Sequence, residues 1–322
     1  MTAHPTAKAR SVDSFRGDTQ ALSELIRTSW AENDQALMYE PEFLESVLRY
    51  PGAGPELAPT MYEGERPLAF GAAFPRRALM NGRELRLGLG AMITVAPELK
   101  GLAGGLILRE TARRVRQAGL DGMIHYAVEG DPMAPMLIPL CRAMRLPTAK
   151  VFTVGYYTRM LFPKPAIDHG GDPDAVEALL TLSDTVDAPF RRVWTREEAE
   201  WQCCRRVGAV SLRYSVEDRF GVAAGYIQKL ADPPQPAALF IDDLHWGTLT
   251  EDERLDMIQA LLAKAAARGA RLAVVPRLRF FDEAPLLAAK FKPSNRAIHA
   301  FLSLWHSELP QEEFKAYYMD VW

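Results

Sequence analysis

The chain has 322 residues, 48% of them apolar and 25% charged, with a net charge of −3. That length allows two ordinary domains, and the interleaved charges give no electrostatic reason to expect a nucleic-acid partner. No apolar run approaches the roughly 20 residues of a membrane-spanning helix, the opening "MTAHPTAKARSVDSF" lacks the apolar stretch of a signal peptide, and Cys141, Cys203 and Cys204 form neither a disulfide framework nor a metal-ligand spacing, so a reduced, cytoplasmic, metal-free protein is expected.

Residues 11–17, "SVDSFRG", read as a short strand. Leu22, Leu25, Ile26 and Trp30 then recur at helical spacing, with Asp18 as an N-cap. "EPEFLESVLRY" predicts a second short helix, opened by Pro41 and stopped by "PGAGP". From Thr60 to Gly88 strands alternate with tight turns at Glu63-Gly64 and Asn81-Gly82, the second being the strongest hairpin signal in the chain. A strand ending at Val95, a glycine-rich turn and a long amphipathic helix to about Ala118 follow. "GMIHYAVEG" predicts a buried strand, "PMLIPLCRAM" a short helix and "AKVFTVGYYTRMLF" another strand.

"PKPAIDHGGDPDA" has no periodicity and marks a break. We place one domain at residues 1–162, a linker at 163–185 and a second domain at 186–322. In that second part "SVEDRFGVAAGYIQKL" and "AALFIDDLHWG" read as strands. A helix starts at Thr250, with Glu253 in capping-box position. A buried strand "RLAVVP", a short helix "FDEAPLLAAKF" and a last strand "NRAIHAFLSLW" complete the order. Gly119 and Gly269 each end the long helix and lie 150 residues apart, so the second half is expected to repeat the first.

A helix start exposes unpaired N–H groups and the positive end of its dipole, which favours phosphate. Small residues at 101, 103, 104 and 105 let a pyrophosphate approach the backbone, and Lys100 adds a positive charge. The spacing fits neither a Walker loop nor a G-x-G-x-x-G dinucleotide turn. With two helices and antiparallel strands before it, the stretch "VAPELKGLAGG" resembles the pyrophosphate turn of the GNAT superfamily of acyl-CoA-dependent N-acyltransferases. Gly105 fits the family pattern, as does the Val95-Ala96-Pro97 lead-in, whereas Lys100 replaces the usual Gln or Arg and Ala103 the usual first Gly.

The resemblance covers residues 10–162, and the second half by architecture alone. It implies an α/β (α+β) fold of two GNAT-like domains, each a mostly antiparallel sheet flanked by helices, the second degenerate. It implies transfer of an acetyl or longer acyl group from acetyl-CoA or a longer acyl-CoA to a small-molecule, peptide or protein amine. A long-chain or acyl-carrier-protein donor, a homodimer, and a non-catalytic acyl-CoA-binding module stay open. Cofactor contacts are expected from Ile93, Thr94 and Val95 on the fourth strand and from Lys100, Gly101, Leu102, Ala103, Gly104 and Gly105 at the turn. Met92, Met133, Met136 and Leu137 would border a longer acyl chain.

The family's usual acid, a Tyr on the short helix, is Cys141 here, Arg145-Leu146 replaces Gly-Phe, and the usual Asn is Ala134. His125 and Glu129, four apart on one strand face, are the candidate bases. Tyr156 and Tyr157 are further donors, and the tail "YYMDVW", ending at Trp322, is expected to fold back into a groove, as the terminus does in some family members. The second half carries Glu251, Asp252 and Glu253 where the first has glycines, so it should repel a pyrophosphate.

Overall fold

Alternating side chains and two tight turns draw the first part of the chain into an antiparallel sheet. The computed structural model describes residues 10–30, 37–99, 102–131, 134–163, 171–231, 236–306 and 308–320. Strands β1 (Arg10–Ser14), β2 (Pro59–Glu63), β3 (Arg66–Met80) and β4 (Arg83–Val95) follow one another across it. Asn81 and Gly82 both have positive φ, 50° and 80°, which matches the twist of the β3–β4 hairpin. Helix α1 (Thr19–Trp30) is capped by Asp18, whose Oδ1 accepts the Ala21 N–H at 2.9 Å. Helix α2 (Pro41–Leu48) has its proline where no N–H is required.

The order continues through α3 (Leu102–Gln117), β5 (Gly122–Val128), α4 (Leu137–Ala143) and β6 (Thr148–Met160). The expected linker contains a helix, α5 (Asp174–Ser183). Ala175, Val176, Leu179 and Leu182 bury one face of it, a period hidden by the Pro-Gly-Asp composition just before. After β7 (Phe190–Val193), α6 (Arg196–Glu200) runs into a π turn at Trp201–Arg205. "SVEDRFGVAAGYIQKL" is not one strand. It spans the turn between β8 (Ala209–Val216) and β9 (Arg219–Lys229), where Glu217 takes φ 52°. Then come β10 (Ala237–His245), α7 (Glu251–Ala267), β11 (Ala270–Pro276), α8 (Ala284–Ala288), β12 (Lys292–Leu304) and β13 (Tyr317–Tyr318). Thr250 and Glu253 form the expected capping box.

The α/β class is as expected, but the two halves share one sheet, ordered β1-β2-β3-β4-β5-β12-β6-β11-β10-β9-β8. Each half runs antiparallel strands into a parallel pair, β4 with β5 and β10 with β11. Each then gives its last long strand to the other half. β12 lies against β5, β6 lies against β11, and the two exchanged strands pair antiparallel at the centre. A further stitch comes from β7, which pairs with β3 and with β13.

One large core lies on one face of this sheet and takes residues from both halves of the chain. It unites α1, α2, α5, Trp194, Trp201 and the tail residues Tyr317, Tyr318 and Met319. Phe152 and Tyr317 stack within it, ring centroids 4.0 Å apart, and full burial of one such side chain contributes about 1.5–3 kcal/mol. The opposite face carries separate cores, α3 over the first half and α7 with α8 over the second. α3 lies close to the sheet because Gly71 and Gly88 face it. A Cβ at Gly71 would meet Ile107 at 2.8 Å, and one at Gly88 would meet Val115 at 3.0 Å.

Exchange leaves each half without its own closing strand. Residues 1–162 expressed alone are therefore expected to lack a cooperative unfolding transition, and adding residues 163–322 should restore it. Circular dichroism during urea titration checks this, and a two-state transition of the first fragment alone would contradict it.

Candidate functional site

The ladder between β4 and β5 is short. It pairs Leu87 with Gly122 and ends at Gly90 with His125. Between Ala91 and Thr94 the strand β4 carries one residue more than β3 opposite, and Met92 sits there with φ 55°. A left-handed conformation costs a residue with a Cβ about 1–2 kcal/mol, and a bulge of this kind bends the strand and leaves a backbone group outside the ladder. Beyond it β4 continues to Val95 while β5 pairs only with β12. The parallel strands thus part, leaving an opening whose one arm is Ile93, Thr94 and Val95.

α3 begins beside that arm. A Cβ built on Gly104 would lie 3.7 Å from Val95 Cγ2, and one on Gly105 would lie 3.5 Å from Leu140 Cδ1 of α4. The structure therefore brings the fourth strand, the start of α3 and α4 together. Ala103 is buried, Gly104 and Gly105 are half-buried, and Leu102 is the first helical residue. Lys100 and Gly101 lie outside the described residues, as do Met133 and Trp322. The helix dipole and the first-turn N–H groups face a site where no side chain at 104 or 105 intrudes, which suits an anion.

The expected proton-transfer residues do not converge. His125 is 3% exposed, its Nε2 has no hydrogen-bond partner among the described residues, and burial pushes its pKa down to about 4. It packs on Gly90, where a Cβ would meet Nδ1 at 2.8 Å. Glu129 is exposed beyond the end of β5, its carboxylate 3.9 Å from His299 Nε2. Alternation places both on one strand face, but only His125 is interior. Cys141 is fully buried, and burial raises its thiol pKa although the Thr148 side chain partly offsets this. Tyr157 donates to Glu283 Oε2 at 2.6 Å in the core of the second half, away from the opening. Burial also raises the Tyr156 pKa.

The tail folds back. Tyr317, Tyr318, Met319 and Asp320 are all buried. Asp320 Oδ2 accepts from Arg76 Nε at 2.7 Å and from Arg192 Nη1 at 3.0 Å, and its carbonyl accepts from Tyr126 of β5 at 2.8 Å. Both arginines are 1% exposed and lie over aromatic rings, Arg76 on Tyr50 and Arg192 on Trp194. Tyr50 donates to Glu198 and accepts from Arg192. Removing one partner from such a buried set costs about 3–5 kcal/mol. Sequence reasoning missed these arginines, which look like surface residues among 38 basic side chains.

The second half has a matching bulge in β10, between Ile241 and Asp243. Here it is filled. Asp242 accepts from Gln202 and Arg206, and Asp243 accepts from Gln202 and from the Tyr318 hydroxyl at 2.7 Å. Burial raises Asp243 to a pKa of about 7. The pair "DD" inside the apolar stretch "ALFIDDLHW" was a legible signal of such a cluster. An open cavity of about 570 Å³ lies elsewhere, between the start of α1 and the end of α2, and no residue of the β4 bulge or the α3 start lines it.

No family model and no curated protein matches the sequence. Solved structures do. Saccharomyces cerevisiae N-myristoyltransferase with bound myristoyl-CoA aligns over 95% of this chain and 83% of its own, with a TM-score of 0.70 and 13% identity. A GCN5-related N-acetyltransferase from Anabaena variabilis aligns over 91% of this chain and 72% of its own, with a TM-score of 0.54 and 13% identity. One from Kribbella flavida covers 92% and 71%, with a TM-score of 0.52 and 16% identity. Over nearly its whole length the chain therefore has the GNAT-type fold of N-myristoyltransferase and the GCN5-related N-acetyltransferases.

Proposed function

We propose that the protein transfers an acyl group from a CoA thioester to an amine, with the donor held in the opening between β4 and β5. The observation that carries this is the contact of Val95 with the Gly104 position, which joins a free strand edge to an anion-favouring helix start. The free edge of Ile93–Val95 offers main-chain hydrogen bonds to a pantetheine arm, and Ala103–Gly105 receive the diphosphate. The yeast N-myristoyltransferase was solved with myristoyl-CoA bound, which supports an acyl-CoA donor. The thioester supplies an activated carbonyl. A main-chain N–H left outside the ladder at the Met92 bulge would stabilise the negative charge that this carbonyl gains on amine attack.

One donor per chain is expected. At the second opening the bulge is occupied by Asp242 and Asp243, and α7 opens with Glu251, Asp252 and Glu253, the last held by Arg219 at 2.6 Å. These carboxylates repel a phosphate. We infer that the second half is a degenerate copy, retained for the strands and core it contributes.

A second reading, a non-catalytic acyl-CoA-binding module, draws on Cys141. A buried thiol with a raised pKa is a slow proton donor to a leaving thiolate, and His125 is a weak base. Release of CoA from acetyl-CoA or myristoyl-CoA with a panel of amines supports the transferase. Binding of both donors without turnover across the panel supports the module.

Calorimetry with acetyl-CoA should give about one site per chain. Gly104→Glu should abolish that binding without lowering the melting temperature, because a Cβ fits at 3.7 Å and an acid favours a first helical turn. Retained binding would overturn the cradle. His125 should stay neutral from pH 8 to pH 5 and titrate near pH 4 by NMR. Its folded-state pKa is depressed below an unfolded value of about 6.5, so the stability it contributes is fully present above that value and lost as pH falls toward 4. A titration near 6.5 would contradict its burial.

A further inference from the structure

Two buried side-chain polar atoms at the opening, His125 Nε2 and Thr94 Oγ1, have no hydrogen-bond partner among the described residues. His125 belongs to the paired end of the ladder and is closed against Gly90. Thr94 is different. It lies on the free arm of β4, two residues past Met92, and is 1% exposed. Its neighbours Ile93 and Val95 turn their side chains toward α3, as their approach to Gly71 and Gly104 shows. Alternation therefore sends the Thr94 side chain to the other face, alongside its register partner Phe70.

A buried hydroxyl without a partner is costly, and an isosteric apolar residue would avoid that cost. His245 Nε2, in the second half, belongs to a ring packed between Phe280 and Tyr318. Like His245 on β10, the Thr94 hydroxyl stands on a strand arm past the end of its parallel pairing, but in the half whose bulge carries no acidic side chain.

We propose that the Thr94 hydroxyl is a side-chain ligand of the pantetheine arm of the donor, hydrogen-bonding it where it passes from the α3 face toward the opposite face. This rests on the donor site proposed above. The strand's main chain would hold the arm along its length, and Thr94 would fix its depth. The hydroxyl neither ionises nor moves a proton in this role. It positions the thioester.

The test is titration calorimetry of wild type, Thr94→Val and Thr94→Ser with acetyl-CoA and with 3′,5′-ADP, which lacks the pantetheine arm. Thr94→Val should bind acetyl-CoA about 10-fold more weakly, the effect of one lost hydrogen bond, and bind 3′,5′-ADP as wild type does. Thr94→Ser should restore acetyl-CoA affinity. The unliganded Thr94→Val protein should melt no lower than wild type. Unchanged acetyl-CoA affinity in Thr94→Val overturns the proposal. So does an equal loss for 3′,5′-ADP, or a lower melting temperature, which would reveal a structural partner for the hydroxyl. A wild type that binds neither ligand overturns the donor-site reading itself, and is thereby told apart from failure of the Thr94 role.

Discussion

The extra residue in β4 is the constraint on which the site depends. A strand with one residue too many cannot keep register with β3 and stay straight beside β5. Met92 absorbs the mismatch in a left-handed conformation, and the parallel ladder stops at Gly90 and His125. That one irregularity produces the free edge, the released main-chain groups and the gap between strands. The same irregularity recurs in β10, where acidic side chains and Tyr318 fill it. Bulges at corresponding places in the two halves therefore carry unequal sites: a left-handed Met92 in one and a pair of buried acids in the other.

What holds the gap open is the rest of the sheet. β5 is secured on its other edge by β12, a strand from the far half of the chain. The common core behind it is locked by the tail, with Asp320 bridging Arg76 of β3 and Arg192 of β7. Charge pairs this deep add little net stability over apolar packing, but they penalise any arrangement that leaves one ion alone. They fix where the tail lies against Tyr126 on β5, and so fix the β5 side of the opening.

Local features were legible in the sequence because their causes are local. Asp18 and Thr250 cap helices, Asn81-Gly82 turns a hairpin, and the glycines after Pro97 open α3. The meeting of Val95 with Gly104 follows from those pieces. The exchange of β6 and β12 does not, because strand pairing across more than a hundred residues has no local signature. Side-chain environment was equally hidden. His125 was identifiable as a histidine on a strand, but its burial depends on α3 and Gly90, and that burial makes it a poor base. The Pro-Gly-Asp stretch that suggested a linker concealed α5, whose apolar face is short and follows directly on the breakers.

The central claim is that one acyl-CoA lies in the opening between β4 and β5. A crystal structure of the protein with acetyl-CoA tests it most directly. The account predicts the diphosphate at Ala103–Gly105 and the pantetheine arm along Ile93–Val95. CoA bound at the β10–β11 opening, or in the cavity between α1 and α2, would contradict it.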